Sequence, residues 1–244
     1  GDWSSDVCSS DLRITPLYET LKNAGAVYGD TFGWERAKWY APAGVEEEYG
    51  FRRNNSFETV GEECRAVREA VGLIDLTSFA KYEVTGTGAH ALLERVCANR
   101  VPAKDGAVVL SQMLTSLGGI ESEATVTRLA KDHYYLLSGA VAELHDFDWL
   151  VQHIESGEDV AVRNMTDDYG VLVLSGPKSR EVLSSLTDAD LTNQDGFTWM
   201  SAKEITVADI SVRALRVSYV GELGWELHHP IDKMPELYEA LIEE

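Results

Sequence analysis

Two acidic segments of this chain carry residue types at spacings that could do chemistry. The first is Gly118-Gly119-Ile120-Glu121-Ser122-Glu123-Ala124-Thr125-Val126. A strand that begins at Ile120 puts Glu121, Glu123 and Thr125 on one face. Two carboxylates on one face of a hairpin strand either meet water or serve a site, because burying them unpaired is costly. The second is Arg216-Val217-Ser218-Tyr219-Val220-Gly221-Glu222-Leu223-Gly224-Trp225-Glu226-Leu227. Two strands flank a glycine-bounded turn, and Glu226 stands between two large apolar residues. A carboxylate there either points outward from an amphipathic strand or offers two coplanar oxygens to adjacent N–H donors of a ligand.

Other chemistries lack their residues. There is no GxxxxGK[ST] loop, and Gly86-Thr87-Gly88 has neither the third glycine nor the parallel-strand context of a dinucleotide site. The GxSxG nucleophile motif is absent. The histidines are scattered. The adjacent pair His228-His229 points to opposite faces of a strand and does not chelate. With no CxxC and no Cys/His cluster, no metal site is expected. Cys64 and Cys97 each fall in a helical pattern and read as buried structural thiols. Two separated thiols suit a reducing compartment, so the expected location is cytoplasmic.

Stepping along the chain gives the elements that must position these acids. Thr15-Pro16 reads as the start of a helix with Leu17, Leu21 and Ala24 on one face and Gly25 as its stop. Tyr28 to Phe51, rich in glycine and aromatics, reads as a long structured loop. Ser56 to Val71 has helical spacing. Strands are expected at Lys81–Thr85, Val108–Met113, Ala124–Leu129, Tyr134–Leu137, Val160–Asn164, Tyr169–Leu174, Phe197–Val207, Val212–Ser218 and Trp225–His228. Helices are expected at Ala89–Ala98, Leu144–Ile154 and Lys178–Leu186, and from Pro235 onward. No internal repeat is visible. Strands with helices in irregular order make the class α+β, with mostly antiparallel sheets and packed helices.

Composition narrows the partners. The chain has 244 residues, 44% hydrophobic, enough to bury a core. With 41 acids against 21 bases the net charge is −20, which excludes a binder of nucleic-acid phosphates or of an anionic membrane surface. No apolar run approaches the ~20 residues of a transmembrane helix. Residues 1–12, GDWSSDVCSSDL, have no signal-peptide pattern; Asp2 to Leu12 resembles the translation of a sequencing-adapter oligonucleotide and is expected to be a non-native, unfolded segment.

Taken in order, GGIESEATVTRL, HYYLLSG, LSGPKSREVL and RVSYVGELGWEL resemble the folate-binding aminomethyltransferase family, which includes the T-protein of the glycine cleavage system. GWERAKWYAP and VGLIDLTSFAKYEVTG are similar to the tetrahydrofolate-binding half of sarcosine and dimethylglycine dehydrogenases. The resemblance runs from about Ile14 to the end. It implies a folate-binding aminomethyltransferase fold over residues 13–244, as two intertwined subdomains truncated before the family's C-terminal barrel domain. It implies tetrahydrofolate as cofactor, with no FAD site in this chain, a methylated amine or aminomethyl donor as substrate, and a flavin dehydrogenase domain or subunit as partner. Glu226 matches the family's pterin-binding glutamate. Glu123 falls where the T-protein has an aspartate near the reacting nitrogens, a departure that lengthens the arm by one methylene. Tyr135 matches a tyrosine that contacts the pterin. Met113, Leu110 and Leu137 would be apolar lining, and Tyr219 and Arg216 would shape the pocket. The implied activity is capture of a methylene unit to give 5,10-methylene-tetrahydrofolate. The alternatives are a tetrahydrofolate-dependent demethylase, a non-catalytic folate-binding regulatory protein, or a fragment without activity.

Overall fold

The structure, a computed structural model, describes residues 12–192 and 196–244. Apart from Leu12, the segment read as adapter-derived lies outside the described residues.

Helix α1 (Tyr18–Asn23) starts later than Thr15-Pro16 suggests, because the Tyr18 N–H bonds the Thr15 carbonyl and makes Pro16-Leu17 a turn ahead of the helix. Leu17 and Leu21 are buried, and Gly25, at φ +98°, ends the element. The long loop expected from Tyr28 is instead a hairpin of β1 (Ala26–Thr31) and β2 (Trp34–Tyr40). Its two-residue turn, Phe32-Gly33, takes positive φ at both positions, which matches the twist of the flanking strands. The Asp30 carboxylate accepts the Gly33 N–H at 3.0 Å and holds that turn. Trp34 and Trp39 are buried, as their size requires. Helix α2 (Phe57–Glu69) spans the junction of two compact units, one ending at Cys64 and the other running from Arg65 to Glu244. Cys64 is exposed, not buried as expected; Cys97 is half-buried, and burial pushes its thiol up to about 11.

The second unit holds β3 (Gly72–Asp75), β4 (Ala80–Thr85), α3 (Ala89–Val96), β5 (Val108–Leu114), β6 (Ile120–Ala130), β7 (His133–Ser138) and α4 (Glu143–Gln152). There follow β8 (Ala161–Asn164), β9 (Tyr169–Ser175), α5 (Ser179–Ser185), β10 (Ser201–Val207), β11 (Ile210–Arg216), β12 (Gly224–Pro230) and α6 (Met234–Ile242). They build two antiparallel five-stranded sheets, ordered β5-β6-β7-β4-β8 and β10-β11-β12-β9-β3. Tyr82, Val84, Met113, Ala124, Val126, Tyr134 and Leu136 on one face of the first sheet pack on Leu92, Leu93, Val96 and Leu150 of α3 and α4. The other face turns toward the second sheet. There Val108 packs on Ala202 and Leu215, and the edges join through backbone bonds from Val108 N–H to the Met200 carbonyl (3.0 Å) and from Ala202 N–H to the Gly106 carbonyl (2.7 Å).

A repeat that the residues conceal is plain in the topology. β3-β4-α3-β5-β6-β7-α4 and β8-β9-α5-β10-β11-β12-α6 have the same order, and each half lends its first strand to the edge of the other half's sheet. The crossovers match bond for bond. The Val171 N–H donates to Thr77 Oγ1 at 3.0 Å, and the Lys81 N–H donates to Thr166 Oγ1 at 3.1 Å. Thr77 N–H bonds Asp75 Oδ1 and Thr166 N–H bonds Asn164 Oδ1, both at 2.9 Å. In each half a glycine at positive φ, Gly86 or Gly176, turns the half's second strand into its helix. A Cβ on Gly176 would sit 2.5 Å from the Ala70 oxygen, 2.7 Å from the Val67 oxygen and 2.8 Å from Val71 Cα. All three are backbone atoms and cannot swing away. Gly176→Ala is therefore expected to lower unfolding free energy by about 3 kcal/mol, read as the urea midpoint; an unchanged midpoint would show that the turn relaxes freely.

Candidate functional site

The space between the two sheets is where the charged residues gather. Strand alternation and the observed register put Lys81, Glu83, Leu110, Gln112, Glu123, Thr125, Tyr135 and Leu137 on the inner face of the first sheet. The same reasoning puts Tyr169, Val171, Val173, Glu204, Arg213, Leu215, Glu226 and His228 on the inner face of the second. Two contacts prove that these faces meet: Tyr135 Oη lies 3.0 Å from His228 Nδ1, and the Arg213 guanidinium lies 4.6 Å from the Tyr135 ring centre.

Glu226 occupies the middle of β12, a strand bonded on both sides. Its neighbours Trp225 and Leu227 are fully buried on the opposite face, while its own side chain keeps 17% exposure. It is thus not the outward carboxylate of an amphipathic strand, because its face is covered by a second sheet. His228, two residues on, shares its face, with Nε2 3.3 Å from Glu226 Oε2. His228 is fully buried, and that burial holds its pKa below the ordinary histidine value against the pull of Glu226. Burial likewise holds the Tyr135 phenol well above its usual range, so it keeps its proton. Arg213 stacks on Tyr135 and Tyr169 (5.5 Å) and pairs with Glu204 at 2.7 Å. Lys81, fully buried, donates from Nζ to the carbonyls of Thr77 (2.7 Å) and Phe79 (2.8 Å).

Glu123 is exposed on the same inner face as Tyr135, four residues along β6 from that tyrosine's partner Thr127, about 13 Å at the rise of a strand. Gln112 donates to it at 2.6 Å. Glu121 does not join it as a pair: it bonds His145 Nε2 at 2.8 Å, while His145 Nδ1 meets the buried Asp146 at 3.0 Å and Ser122 donates to Asp146 at 2.7 Å. This chain fastens the start of β6 to α4, and its two carboxylates raise the His145 pKa.

Other expected site residues divide. Leu137 is nearly buried and Leu110 half-exposed, both on the inner face. Tyr135 is wholly buried, with its hydroxyl committed to His228. Tyr219 is fully exposed on the β11–β12 loop. Met113 and Arg216 are not brought together with the rest. Met113 alternates to the helix side and is core beneath α3. Arg216 alternates away from Glu226, bonds the Phe197 carbonyl and lies 5.8 Å from the Trp225 ring centre. The sequence reading passed over His228, Arg213 and Lys81. The signal for His228 was its place two residues after Glu226 in a strand, which makes it a facing neighbour. Among the described residues no group of three or more acidic, histidine or cysteine side chains could hold a metal ion, and no helix is long and apolar enough to cross a membrane.

Comparison with known proteins gives a consistent relationship. Mitochondrial dimethylglycine dehydrogenase of Mus musculus is 40% identical over 233 residues, 94% of this chain and 26% of that protein. Mitochondrial sarcosine dehydrogenase of Homo sapiens is 30% identical over 272 residues, 95% of this chain and 30% of that protein. The chain thus spans about a quarter of the length of such relatives. Among solved structures, the glycine cleavage system aminomethyltransferase T from Bartonella henselae superposes with a TM-score of 0.77 at 27% identity, covering 95% of this chain and 57% of that one. The family model of the GCVT N-terminal domain matches residues 17–244, and the chain, an aminomethyltransferase-like α+β domain related to the dimethylglycine and sarcosine dehydrogenases, belongs to that family.

Proposed function

We propose that the chain is a tetrahydrofolate-dependent one-carbon transfer domain. It takes a methylene unit that originates in an N-methyl amine of the sarcosine or dimethylglycine type, or in an aminomethyl donor, and yields 5,10-methylene-tetrahydrofolate. One observation carries this reading: Glu226 is a partly open carboxylate between two fully buried chain neighbours, in the middle of a doubly bonded strand. Such a carboxylate suits a flat ligand with two adjacent N–H donors, as on the pyrimidine edge of a pterin. The donor set fits. Each carboxylate oxygen accepts more than one bond, so Glu226 can keep His228 and still receive ring N3–H and the 2-amino group.

Leu110 and Leu137 line the flat faces of the ring, and Tyr219 is free to cover it. Bound tetrahydrofolate supplies N5 and N10, which take up the carbon. Glu123 serves as the catalytic carboxylate. It would stabilise positive charge on the incoming one-carbon group and orient the donor toward the receiving nitrogens. Gln112, by donating to Glu123, fixes its arm. Oxidation of an N-methyl group would require a flavin in a separate domain or subunit to take up the two electrons, and this chain would act on the carbon afterwards.

The test is titration calorimetry with tetrahydrofolate, followed by the rate of 5,10-methylene-tetrahydrofolate formation from formaldehyde. A saturable heat and a rate above the uncatalysed condensation are expected. A folded protein that gives neither heat nor acceleration overturns the proposal.

A further inference from the structure

Beyond Glu226 and Glu123, the inter-sheet space contains a directed chain of hydrogen bonds that gives His228 a task of its own. We infer that His228 is a positioning residue: it donates from Nε2 to Glu226, is itself held by the Tyr135 hydroxyl, and so sets the plane of the carboxylate that receives the ligand. This rests on the folate reading above and adds to it the residue that prepares its acceptor.

The direction follows from proton inventory. A neutral imidazole has one donor and one acceptor nitrogen. His228 is fully buried and kept neutral by burial. Its Nε2 faces Glu226 Oε2 at 3.3 Å, and a carboxylate oxygen only accepts, so Nε2 carries the proton. Nδ1 is then the acceptor, and the Tyr135 hydroxyl 3.0 Å away must donate to it. Tyr135 is in turn fixed by Arg213 over its ring and by Tyr169 at 6.3 Å between ring centres. Each link leaves the next one a single orientation. A free glutamate side chain would have to lose rotamer freedom when ligand arrives; here that ordering is complete beforehand. The arrangement also explains why a tyrosine expected to touch the ligand is wholly buried. Its hydroxyl acts at one remove, through the histidine.

The test uses the whole chain with two substitutions. His228→Leu removes the donor and is expected to weaken tetrahydrofolate binding about tenfold, while His228→Gln, whose amide reaches the same carboxylate, is expected to stay within about threefold of wild type. Thermal melts and circular dichroism of both variants establish that they are folded, and the glutamine rescue separates positioning from bulk. Independently of any ligand, a long-range ¹H–¹⁵N spectrum of the unliganded protein is expected to show His228 as the Nε2–H tautomer, and Tyr135→Phe to lose that single state. An Nδ1–H tautomer, or equal affinity of the leucine variant and wild type, overturns the inference. If wild type binds no folate while the tautomer is as stated, the folate reading has failed and the hydrogen-bond chain stands.

Discussion

Glu226→Ala is expected to lower affinity for tetrahydrofolate by about a hundredfold or more, with the fold intact. The wild-type carboxylate would accept two N–H bonds from the pterin edge. Hydrogen bonds to a charged acceptor contribute about 1.5–3 kcal/mol each, so losing both removes at least about 3 kcal/mol, and about 1.4 kcal/mol is a factor of ten. The alanine also leaves His228 Nε2–H without its acceptor in a buried position. Glu226→Gln is expected to fall almost as far, because its amide nitrogen sets a donor against a donor. Stability is expected to fall by about 1–3 kcal/mol, the cost of the unpaired His228 donor, while the strand keeps its backbone pairing with Leu215 and Val173. Calorimetric titration of the three proteins decides it. An alanine variant within threefold of wild type would remove Glu226 from the ligand's reach.

Acidification is expected to destabilise the protein between about pH 6.5 and pH 4, and the buried His229 is one cause. Burial drives its pKa down from 6.5 to about 4. Its neighbour His228 is shifted the same way, also chiefly by burial. A histidine that is harder to protonate folded than unfolded contributes its full share above pH 6.5. That share is lost as pH falls toward the folded value, because the unfolded chain gains protons that the native state refuses. For His229 the loss is about 3 kcal/mol at about 1.4 kcal/mol per unit. His145 works in the opposite sense. Its pKa is raised by Asp146 and Glu121, so its contribution is full below its unfolded value and is lost as pH rises through the folded one; being nearly half exposed, it offsets little. Urea unfolding at pH 7 and pH 4 measures the difference, and His229→Gln should shrink that difference by about 3 kcal/mol. A variant as acid-sensitive as wild type would place the cause elsewhere.

How far the sequence could be read is clearest residue by residue. Period-two alternation located most strands of the second unit, because each has one face against helices and is strongly patterned. Arg216 and Met113 were set beside the site by resemblance and by nearness in sequence, and alternation places them on the opposite faces. Both are near the acids in sequence, but an even or odd offset decides the face: Met113 is one residue from Gln112 on the inner side, and Arg216 is three from Arg213. The hairpin at Phe32-Gly33 was invisible because a bulky residue at positive φ is not a turn signal; it is held there by Asp30 and strand twist. β3 was missed because four residues, Gly72–Asp75, are too few for a pattern and are recruited by β9, far along the chain. The duplicated architecture escaped for a related reason. What the halves share is backbone hydrogen bonding and, in side chains, one threonine with its Asp or Asn cap and one positive-φ glycine, too few positions to show as a repeat. Glu226 was singled out by resemblance; the histidine beside it was not, because its contacts depend on a tyrosine in the other sheet.

The traded edge strands tie the fate of one half to the other. β3 closes the sheet that carries Glu226, yet it belongs by chain order to the half that carries Glu123, and β8 does the reverse. Neither half completes its five-stranded sheet without a strand of the other, so the two are expected to unfold as one cooperative unit. A proton forced onto a histidine in one layer is therefore expected to unseat Glu226 and Glu123 together.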